Sequence, residues 1–333
     1  MILVSIIISN YNYGLFLREA IDSALNQSYP LKEVIVVDDG SVDNSVEILG
    51  EYAGRIVSIF KEENTGQASA WNTGFRESQG DIIVFLDADD YLFPKAIEEV
   101  VNAWHEKLAK IQYPLKVVNR DDKVVGVHPA LMDFQRDESV LSSLLRTGRY
   151  LTSVSSGNAY NRVVIEKIFP IPEEEFPISS DGYVNTLVPL YGEILSLREP
   201  LGVYRIHGRN SWALTDRKDF RKKIQNMISH DIKRCDFLIR DSVKFGYTVS
   251  QDCLLKDHMH IKLRLVSLCL APENSSSLGS KVSLLSIGFK AISMSPGLCF
   301  YKKLQLYLQL LIIFILPSAV MSLFLTKLIY NLI

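Results

Sequence analysis

The chain has 333 residues, of which 47% are hydrophobic, and its formal net charge is −2. This length exceeds one ordinary hydrophobic core, so we expect one large domain with an extension, or two domains. The near-neutral charge argues against nucleic-acid binding, because proteins that bind nucleic acids usually present a strongly basic face.

The N-terminus and the cysteines indicate the processing and the compartment of the chain. "MILVSIIISNYNYG" has neither a basic n-region nor a small-residue cleavage site, so we predict a first strand there rather than a signal peptide. The cysteines show no C-x-x-C spacing, which argues against a disulfide framework or a zinc site. We therefore expect small buried thiols in a reducing compartment at Cys235, Cys253, Cys269 and Cys299.

The first ninety residues alternate short apolar runs with helical patterns. The runs predict strands at Val4–Ile8, Val34–Val37, Ile56–Phe60 and Ile82–Leu86. The stretches between them predict helices at Leu15–Asn26, Ser45–Tyr52 and Ala68–Glu77. Because each strand is nearly all apolar and helices separate the strands, we predict an α/β fold with a parallel sheet covered on both faces.

A polar cluster follows each of these strands: "SNYNYG", "DDGS", "KEENTG" and "DADD". Ligands of open parallel sheets bind beyond the carboxyl ends of the strands. The four clusters therefore predict one polar crevice at that edge of the sheet.

The rest of the chain gives a less regular pattern. Pro94–Trp104 reads as a helix, and 115–128 reads as a β-hairpin. The small polar segment "TSVSSGNAYNR" (152–162) is typical of an acceptor-side loop. A helix begins near Ser180, and the pattern from 216 to about 270 is helical and charged.

Three acids, Asp87, Asp89 and Asp90, crowd the end of the fourth strand. Carboxylates this close raise one another's pKa and oppose burial unless a cation shares the site. Magnesium takes one or two protein carboxylates and completes its shell with waters and phosphates. Asp87 and Asp89 are therefore candidate metal ligands or ribose contacts, whereas Asp90 either joins them or supports the next turn.

Asp38 and Asp39 end the second strand. Acids at this place can accept hydrogen bonds from a nucleotide's base N–H groups or ribose hydroxyls. The alternative is a simple turn in which Ser41 or Asp43 caps the next helix. Tyr11, after the first strand, offers a flat face for a base, although a single tyrosine is also common in packing.

These stretches together resemble family 2 glycosyltransferases of the GT-A fold. The resemblance is carried by "VSIIISNYNYGLFLREAIDSALNQSYPLKEVIVVDDGSVDNS", "NTGQASAWNTGF" and "GDIIVFLDADD", and it resumes in the acceptor-side half at "SSDGYVNTLVPLYGEILSLREPLGVYRIHGRN" (179–210). It implies a Rossmann-like, mostly parallel sheet flanked by helices, with a C-terminal helical extension. The predicted division is a transferase domain over 1–212, a helical extension over 213–300 and an apolar membrane-associated segment over 301–333.

The resemblance also implies roles for single residues. It places Ser9, Tyr11 and Asp39, with Asp38 beside it, in the nucleotide pocket. Asp87 and Asp89 match the D-x-D motif, which holds Mg²⁺ or Mn²⁺ with Asp89 as the more direct ligand.

Asp181 matches the catalytic base of inverting members, and His207 of "YRIHG" matches a position near the diphosphate or the metal. Asp181 could also cap a helix, and His207 could be a surface or core histidine. His258 and His260 have i, i+2 spacing on a helical pattern, so they point to different faces and we interpret them as structural.

The chain departs from the family pattern at two places. "SN" (Ser9 and Asn10) replaces a commoner Pro-Thr after the first strand. Trp71 stands where an arginine often precedes "N-x-G", which leaves the donor contacts on that side open.

The resulting expectation is an inverting, metal-dependent transferase. It would move a sugar from a nucleotide-sugar donor, which we expect to be a UDP-sugar, to a hydroxyl of a glycan or polyprenyl-linked acceptor in cell-surface polysaccharide synthesis. One alternative is a catalytically silent nucleotide-sugar-binding subunit. Another is a nucleotidyltransferase, which would usually carry a glycine-rich basic phosphate loop where this chain has "SNYNYG".

The C-terminal segment has no charged residue from Leu304 to Thr326, between Lys302–Lys303 and Lys327. As one helix it would reach roughly 35 Å, enough for a bilayer core of about 30 Å. It could span a membrane, lie in its plane or pack on the protein. We predict membrane contact at the cytoplasmic face, where the basic stretch "DRKDFRKK" (216–223) either meets anionic lipid or is a solvated helix face.

Overall fold

The structure of the protein is a computed structural model that describes residues 1–129, 140–207, 210, 220–270, 280–295 and 298–316. Its residues form two compact units, which we describe separately. The first comprises Met1–Gln135 and Thr152–His207, and the second comprises Arg136–Leu151 and Gly208–Ile333.

Strands and helices alternate through the first hundred residues of the first unit. They are β1 Val4–Asn10, α1 Gly14–Leu25, β2 Lys32–Asp38, α2 Ser45–Glu51, β3 Val57–Phe60, α3 Gln67–Glu77, β4 Ile82–Asp87, β5 Tyr91–Leu92 and α4 Ala96–Asn102. The remaining elements of this unit are β6 Leu108–Gln112, β7 Leu115–Val118, β8 Val124–His128, β9 Asn158–Asn161, α6 Arg162–Ile168, α7 Ser180–Leu187, β10 Glu193–Ser196 and β11 Gly202–Arg205. Helix α5, Val140–Thr147, belongs to the second unit.

A seven-stranded sheet in the order β10-β6-β9-β4-β1-β2-β3 forms the centre of the first unit. Its neighbours are parallel except β9, which runs antiparallel to both β4 and β6. The inner strands are buried on both faces because their residues are almost all apolar. A smaller sheet has the order β5-β11-β7-β8. The predicted α/β class and the predicted hairpin at 115–128 are both confirmed.

One expectation about this sheet is wrong. The segment 152–162, expected to be a loop, contains β9, which lies between β4 and β6. Its asparagines interrupt the apolar pattern of a strand, but their side chains are hydrogen-bonded. The Asn158 amide nitrogen donates to the Val154 carbonyl oxygen at 2.7 Å, and the Asn161 amide nitrogen donates to the Leu108 carbonyl oxygen at 2.9 Å. Buried polar side chains are tolerated in a strand when they are hydrogen-bonded in this way.

The second unit is helical. Its helices are α5, α8 Phe220–Ser242, α9 His258–Leu270, α10 Lys281–Met294 and α11 Phe300–Ile315. Helices α8 to α11 enclose one apolar core, to which α11 contributes Leu306, Leu310 and Ile313. The segment 136–151 belongs to the same unit, and the predicted boundaries at 212 and 300 stay predictions.

An ionic cluster lies inside the second unit. Asp231 of α8 accepts hydrogen bonds from Arg149 at 2.6 Å and from Arg234 at 3.0 Å, and Asp257 accepts one from Arg149 at 2.6 Å. Burial raises the pKa of Asp231, but the two guanidinium groups outweigh it and hold that pKa well below its usual range. His260 contacts Asp231 at 3.2 Å, which agrees with its structural interpretation.

The prediction of four separate thiols is wrong for two cysteines. Cys235 of α8 and Cys253 form a disulfide, whereas Cys269 and Cys299 are free. The two partners are 18 residues apart in the sequence and both are buried. Local spacing rules cannot detect such a pair, because packing around α8 brings the two cysteines together.

Within the described parts of the chain, no helix is both long and apolar enough to cross a membrane. Residues 317–326 of the predicted apolar segment lie outside the described residues.

Replacing Asp231 with asparagine should destabilise the protein by about 3–5 kcal/mol, because it leaves Arg149 and Arg234 with one buried carboxylate fewer. Asp236→Asn is the matched control, since Asp236 lies on the same helix and is exposed. That change should cost no more than about 0.5 kcal/mol. Urea unfolding followed by circular dichroism measures both, and equal midpoints for the two variants would contradict the role of the cluster.

Candidate active site

The parallel register brings the ends of β1, β2 and β4 together, and we call this line the carboxyl edge. Ser9 of β1 lies opposite Asp87 of β4, and Asn10 lies opposite Asp38 of β2. The polar clusters after these three strands are therefore neighbours in space, as the sequence pattern predicts.

Asp39 joins the end of β2 to the loop after β3. Its buried carboxylate accepts hydrogen bonds from the Lys61 ammonium at 2.7 Å, the Gly66 backbone N–H at 2.7 Å and the Thr65 backbone N–H at 3.1 Å. These donors fix its orientation. Its role in nucleotide binding stays a prediction.

Asp38 has a different environment from its neighbour. It is buried, and it accepts hydrogen bonds from the Asn10 side chain at 2.7 Å and from the Ser41 backbone N–H at 2.8 Å. The side chain thus holds the turn after β2. Tyr11 is 40% exposed, so its ring is accessible to a base. The nucleotide roles of Asp38, Tyr11 and Ser9 stay predictions.

The three acids after β4 repel one another. Burial, together with the charges of Asp89 and Asp181, raises the pKa of Asp87 to about 8. Burial and the charges of Asp89 and Asp87 likewise raise the pKa of Asp90 well above its usual range. Asp90 accepts hydrogen bonds from the Ser156 hydroxyl at 2.6 Å and the Arg205 backbone N–H at 3.0 Å, so it supports the loop.

Asp89 contacts the residue that the resemblance placed near the metal. Its carboxylate lies 2.8 Å from the ring nitrogen Nε2 of His207, which follows β11. The imidazole stacks on Phe16 of α1 with ring centres 4.8 Å apart, and it is almost fully buried. The packing therefore holds His207 against the carboxyl edge.

The described residues contain no group of three or more His, Cys, Asp or Glu side chains that could hold a metal ion. The pair Asp87 and Asp89 nevertheless fits a hard divalent cation, because a cation offsets the repulsion that raises the pKa of Asp87. Two carboxylates suffice for Mg²⁺ or Mn²⁺ when phosphates and waters complete the shell.

Asp181 lies in the first turn of α7, in the part of the first unit that the resemblance assigns to the acceptor side. Burial raises its pKa to about 6, against the lowering effects of the Gly182 backbone N–H and the Lys110 ammonium. Its charge also raises the pKa of Asp87, so the two carboxyl groups are close enough to interact. A carboxylate with a pKa near neutrality suits a general base.

Gln67, the first residue of α3, was not predicted as a site residue. Its side-chain nitrogen donates to Asp87 at 3.0 Å, and its side-chain oxygen accepts from the Ser180 backbone N–H at 3.0 Å. One amide thereby connects an acid of the carboxyl edge to the start of the helix that carries Asp181. The only sequence signal was its position after Gly66 in "NTGQ" at a helix start.

Trp71 stands where the family pattern often has an arginine, and it does not supply the donor contacts expected from that arginine. Its side chain is fully buried and stacks on Phe85 of β4, with ring centres 3.9 Å apart and planes 4° apart. The residue therefore belongs to the core, and donor contacts on this side must come from other groups.

A close backbone approach positions Gln67. The backbone N–H of Gln67 donates to the Pro177 carbonyl oxygen at 2.7 Å. Gly66 has φ +99°, and a Cβ atom there would lie 2.4 Å from that oxygen. Only glycine meets both conditions without strain.

We therefore expect Gly66→Ala to destabilise the protein by about 1–3 kcal/mol, because the loop must shift away from Pro177. Gly50→Ala is the control: Gly50 lies in α2 and a Cβ there meets no atom within 4 Å. That change should stabilise by up to about 1 kcal/mol. Thermal unfolding measures both changes, and a gain in stability for Gly66→Ala would refute the geometric argument.

Part of the chain matches a known protein family. The family model described as glycosyl transferase family 2 matches residues 5–169. An uncharacterized glycosyltransferase of Nostoc sp. is 35% identical over 213 residues, which are 62% of this chain and 66% of the relative. The chain thus spans about two thirds of that relative's length.

Two solved structures share the fold at low identity. The crystal structure of TarS from S. aureus in complex with UDP-GlcNAc aligns with a TM-score of 0.52 and 18% identity, over 92% of this chain and 90% of that one. The mannosyltransferase PcManGT from Pyrobaculum calidifontis, in complex with GDP-Man and Mn²⁺, aligns with a TM-score of 0.52 and 17% identity, over 96% and 86%. Together with the family match, they confirm the predicted GT-A fold, and this chain belongs to glycosyl transferase family 2.

Proposed function

We propose that this family 2 glycosyltransferase is an inverting, metal-dependent enzyme that moves a sugar from a UDP-sugar to an acceptor hydroxyl. The observation that carries the proposal is the position of Asp181. Its carboxyl group interacts electrostatically with Asp87 of the carboxyl edge, and Gln67 bridges the two segments. A general base on one side would therefore face acids suited to hold the cation of a diphosphate on the other.

The donor would bind along the carboxyl edge. Asp39 is held by Lys61 and two backbone N–H groups in one orientation, ready to accept hydrogen bonds from the base or the ribose. Tyr11 offers an exposed ring for stacking, and Ser9 lies beside Asp87. The structures of TarS and PcManGT contain UDP-GlcNAc and GDP-Man respectively, so this fold accommodates nucleotide sugars in both.

The reaction is a single in-line displacement. The acceptor hydroxyl oxygen attacks the anomeric carbon, and the bond from that carbon to the diphosphate oxygen breaks. The bond's electron pair leaves with the nucleoside diphosphate, while the hydroxyl proton passes to the Asp181 carboxylate. One glycosidic bond replaces one glycosyl-phosphate bond, and attack opposite the leaving group inverts the anomeric configuration.

Asp87 and Asp89 would hold Mg²⁺ or Mn²⁺. A bound divalent cation would offset the negative charge that develops on the diphosphate. His207 orients the Asp89 carboxylate through their 2.8 Å contact, and Gln67 orients Asp87 through its amide nitrogen.

Two substitutions separate these roles. Asp181→Asn should lower kcat about 10²–10⁴-fold and leave the Kd for UDP with Mn²⁺ within twofold of wild type, because it removes the base alone. Asp89→Asn should raise that Kd about tenfold or more, because it removes a carboxylate from the cation. Calorimetric UDP binding and transfer assays over a panel of nucleotide sugars measure both.

Loss of UDP binding in Asp181→Asn would make Asp181 a donor-site or folding residue. Intact transfer in Asp89→Asn would overturn the metal assignment. Absence of turnover by the wild-type chain with every donor and a panel of glycan and polyprenyl-linked acceptors would favour a silent nucleotide-sugar-binding subunit.

The proposed acceptor is a glycan or polyprenyl-linked hydroxyl used in cell-surface polysaccharide synthesis, and α11 supports a lipid surface as a partner. One face of α11 packs into the core of the second unit, but the opposite face is apolar and exposed. Along this face the exposed residues recur at helical spacing: Phe300, Leu304, Leu308, Ile312 and Ile315. An apolar stripe this regular on a helix surface is typical of an interaction site.

The charge around α11 indicates which surface it contacts. Residues 280–333 contain five lysines and no acidic residue, and Lys302 and Lys303 lie in the first turn of the helix. The cytoplasmic leaflet is negatively charged and attracts such basic segments. We therefore propose that α11 lies on an anionic bilayer at the cytoplasmic face, with its exposed stripe in the headgroup region.

Co-sedimentation of the full chain with vesicles tests this surface. Wild type should bind phosphatidylglycerol vesicles more strongly than phosphatidylcholine vesicles, and the triple variant Leu304→Ser/Leu308→Ser/Ile312→Ser should lose most of that binding. Val124→Ser/Val125→Ser removes exposed apolar side chains from β8 and is the matched control, with unchanged binding. Equal binding by the triple variant and wild type would refute the proposal that the exposed face of α11 contacts the bilayer. A triple variant that instead changes only the oligomeric state would show that a second copy covers the stripe.

A further inference from the structure

Lys110 is a fully buried basic residue of the large sheet. It lies in β6, and its side chain has no exposed surface. Lysine is almost never fully buried unless it is paired, because removing an ammonium group from water is costly. A buried lysine near a catalytic cleft therefore requires an explanation in terms of its partners.

Three oxygen atoms surround the Lys110 ammonium group. Its Nζ donates to Thr152 Oγ1 at 2.8 Å, to Asn158 Oδ1 at 2.9 Å and to Asn185 Oδ1 at 2.8 Å. The Thr152 hydroxyl donates its own hydrogen to the Ser153 carbonyl oxygen. The Asn158 amide nitrogen likewise donates to backbone carbonyl oxygens, so its Oδ1 faces Lys110 as an acceptor. Burial lowers the pKa of Lys110 well below its usual range, and the charge of Asp181 opposes that fall. The three acceptor oxygens favour the charged form, because only an ammonium group supplies three N–H donors.

The residues that accept hydrogen bonds from Lys110 lie in segments that we assign to the sugar-acceptor side of the site. Asn158 begins β9, and Asn185 lies in α7, four residues after Asp181. Residues four apart lie on the same side of a helix, so the anchored Asn185 side chain fixes the face of α7 that carries Asp181. Tyr160 adds a second bond to this anchor, because its hydroxyl donates to Asn185 Oδ1 at 3.0 Å.

We infer that Lys110 is a positioning residue for the catalytic base: it anchors α7 through Asn185 and supplies the positive charge that keeps Asp181 ionised. Among the described residues, the Lys110 ammonium favours the carboxylate form of Asp181. The charges of Asp87 and Asp181 repel each other, so the Asp87 carboxyl opposes that form. The inference rests on the proposed role of Asp181 as the base.

The charge balance gives a pH dependence with a definite sign. Burial raises the pKa of Asp181 to about 6, and Lys110 opposes that rise. Because only the carboxylate accepts a proton, kcat should fall as the pH drops through about 6. Removing the Lys110 charge raises the pKa of Asp181 further, so the acid limb moves to higher pH.

Lys110→Met tests both parts of the role in the full-length protein. The acid limb of kcat should move up by about one pH unit, which lowers kcat at pH 6 about fivefold in addition to any loss on the plateau. The KM for the donor should stay within twofold, since Lys110 donates to Thr152, Asn158 and Asn185, none of which is assigned to the nucleotide. A merely structural lysine would lower the yield or the melting temperature and leave the pH limb in place.

Asn185→Asp provides a second route if Lys110→Met folds poorly. This change keeps the size of the side chain and its acceptor oxygen, but it places a carboxylate against the ammonium and cancels its effect on Asp181. The acid limb should again move to higher pH.

Lys262→Met is the matched control, because Lys262 of α9 is also buried and burial lowers its pKa to about 7. The acid limb of kcat for Lys262→Met should lie at the same pH as that of wild type. Unmoved limbs in both Lys110→Met and Asn185→Asp would overturn the inference. If Asp181→Asn abolishes transfer in the same assay, that outcome leaves the proposed function standing; if Asp181→Asn is active, the assignment of the base is what fails.

Discussion

The repulsion between carboxyl groups at the carboxyl edge is the constraint on which the rest of the first unit depends. Burial and neighbouring acids raise the pKa values of Asp87 and Asp90, and burial raises that of Asp181. Burying such a set without compensation would destabilise the fold. Each acid is therefore met by a fixed donor or cation that comes from a distant part of the chain.

The partners differ from acid to acid, and this difference separates their functions. Asp39 has a lysine and two backbone N–H groups, Asp89 has His207, and Asp90 has a serine hydroxyl and a backbone N–H. Asp87 is held by the neutral amide of Gln67, and its pKa is raised to about 8. A bound cation is thus expected to relieve the repulsion at Asp87, next to the carboxylate of Asp89.

The sequence predicted those parts of the fold that follow from apolar runs. β1, β2, β3 and β4 are such runs, and acids that follow parallel strands must meet at one edge, so the carboxyl edge was predictable. β6 and β9 were missed because Lys110 and Asn158 interrupt their apolar character, and those two residues are hydrogen-bonded to each other at 2.9 Å. A buried polar pair that spans 48 residues is invisible to any local pattern.

Contacts between distant segments account for the other misses. Gln67 matters because Gly66 lets the loop approach Pro177, 111 positions further along the chain, and no periodicity encodes that approach. The disulfide of Cys235 and Cys253 depends in the same way on packing in the helical unit. Trp71 illustrates the converse: its family position indicated a donor contact, but a large aromatic side chain gains more from burial against Phe85.

In each of two adjacent acid pairs, hydrogen bonds give the two acids different roles. In the first pair Asp38 holds the turn through Asn10 and Ser41, which leaves Asp39 as the acid proposed for a nucleotide. In the second, Asp90 holds the loop through Ser156 and Arg205, which leaves Asp89 as the acid proposed for a cation. In each pair one acid stabilises the loop that positions the other, so a site rich in negative charge keeps its shape before any substrate binds.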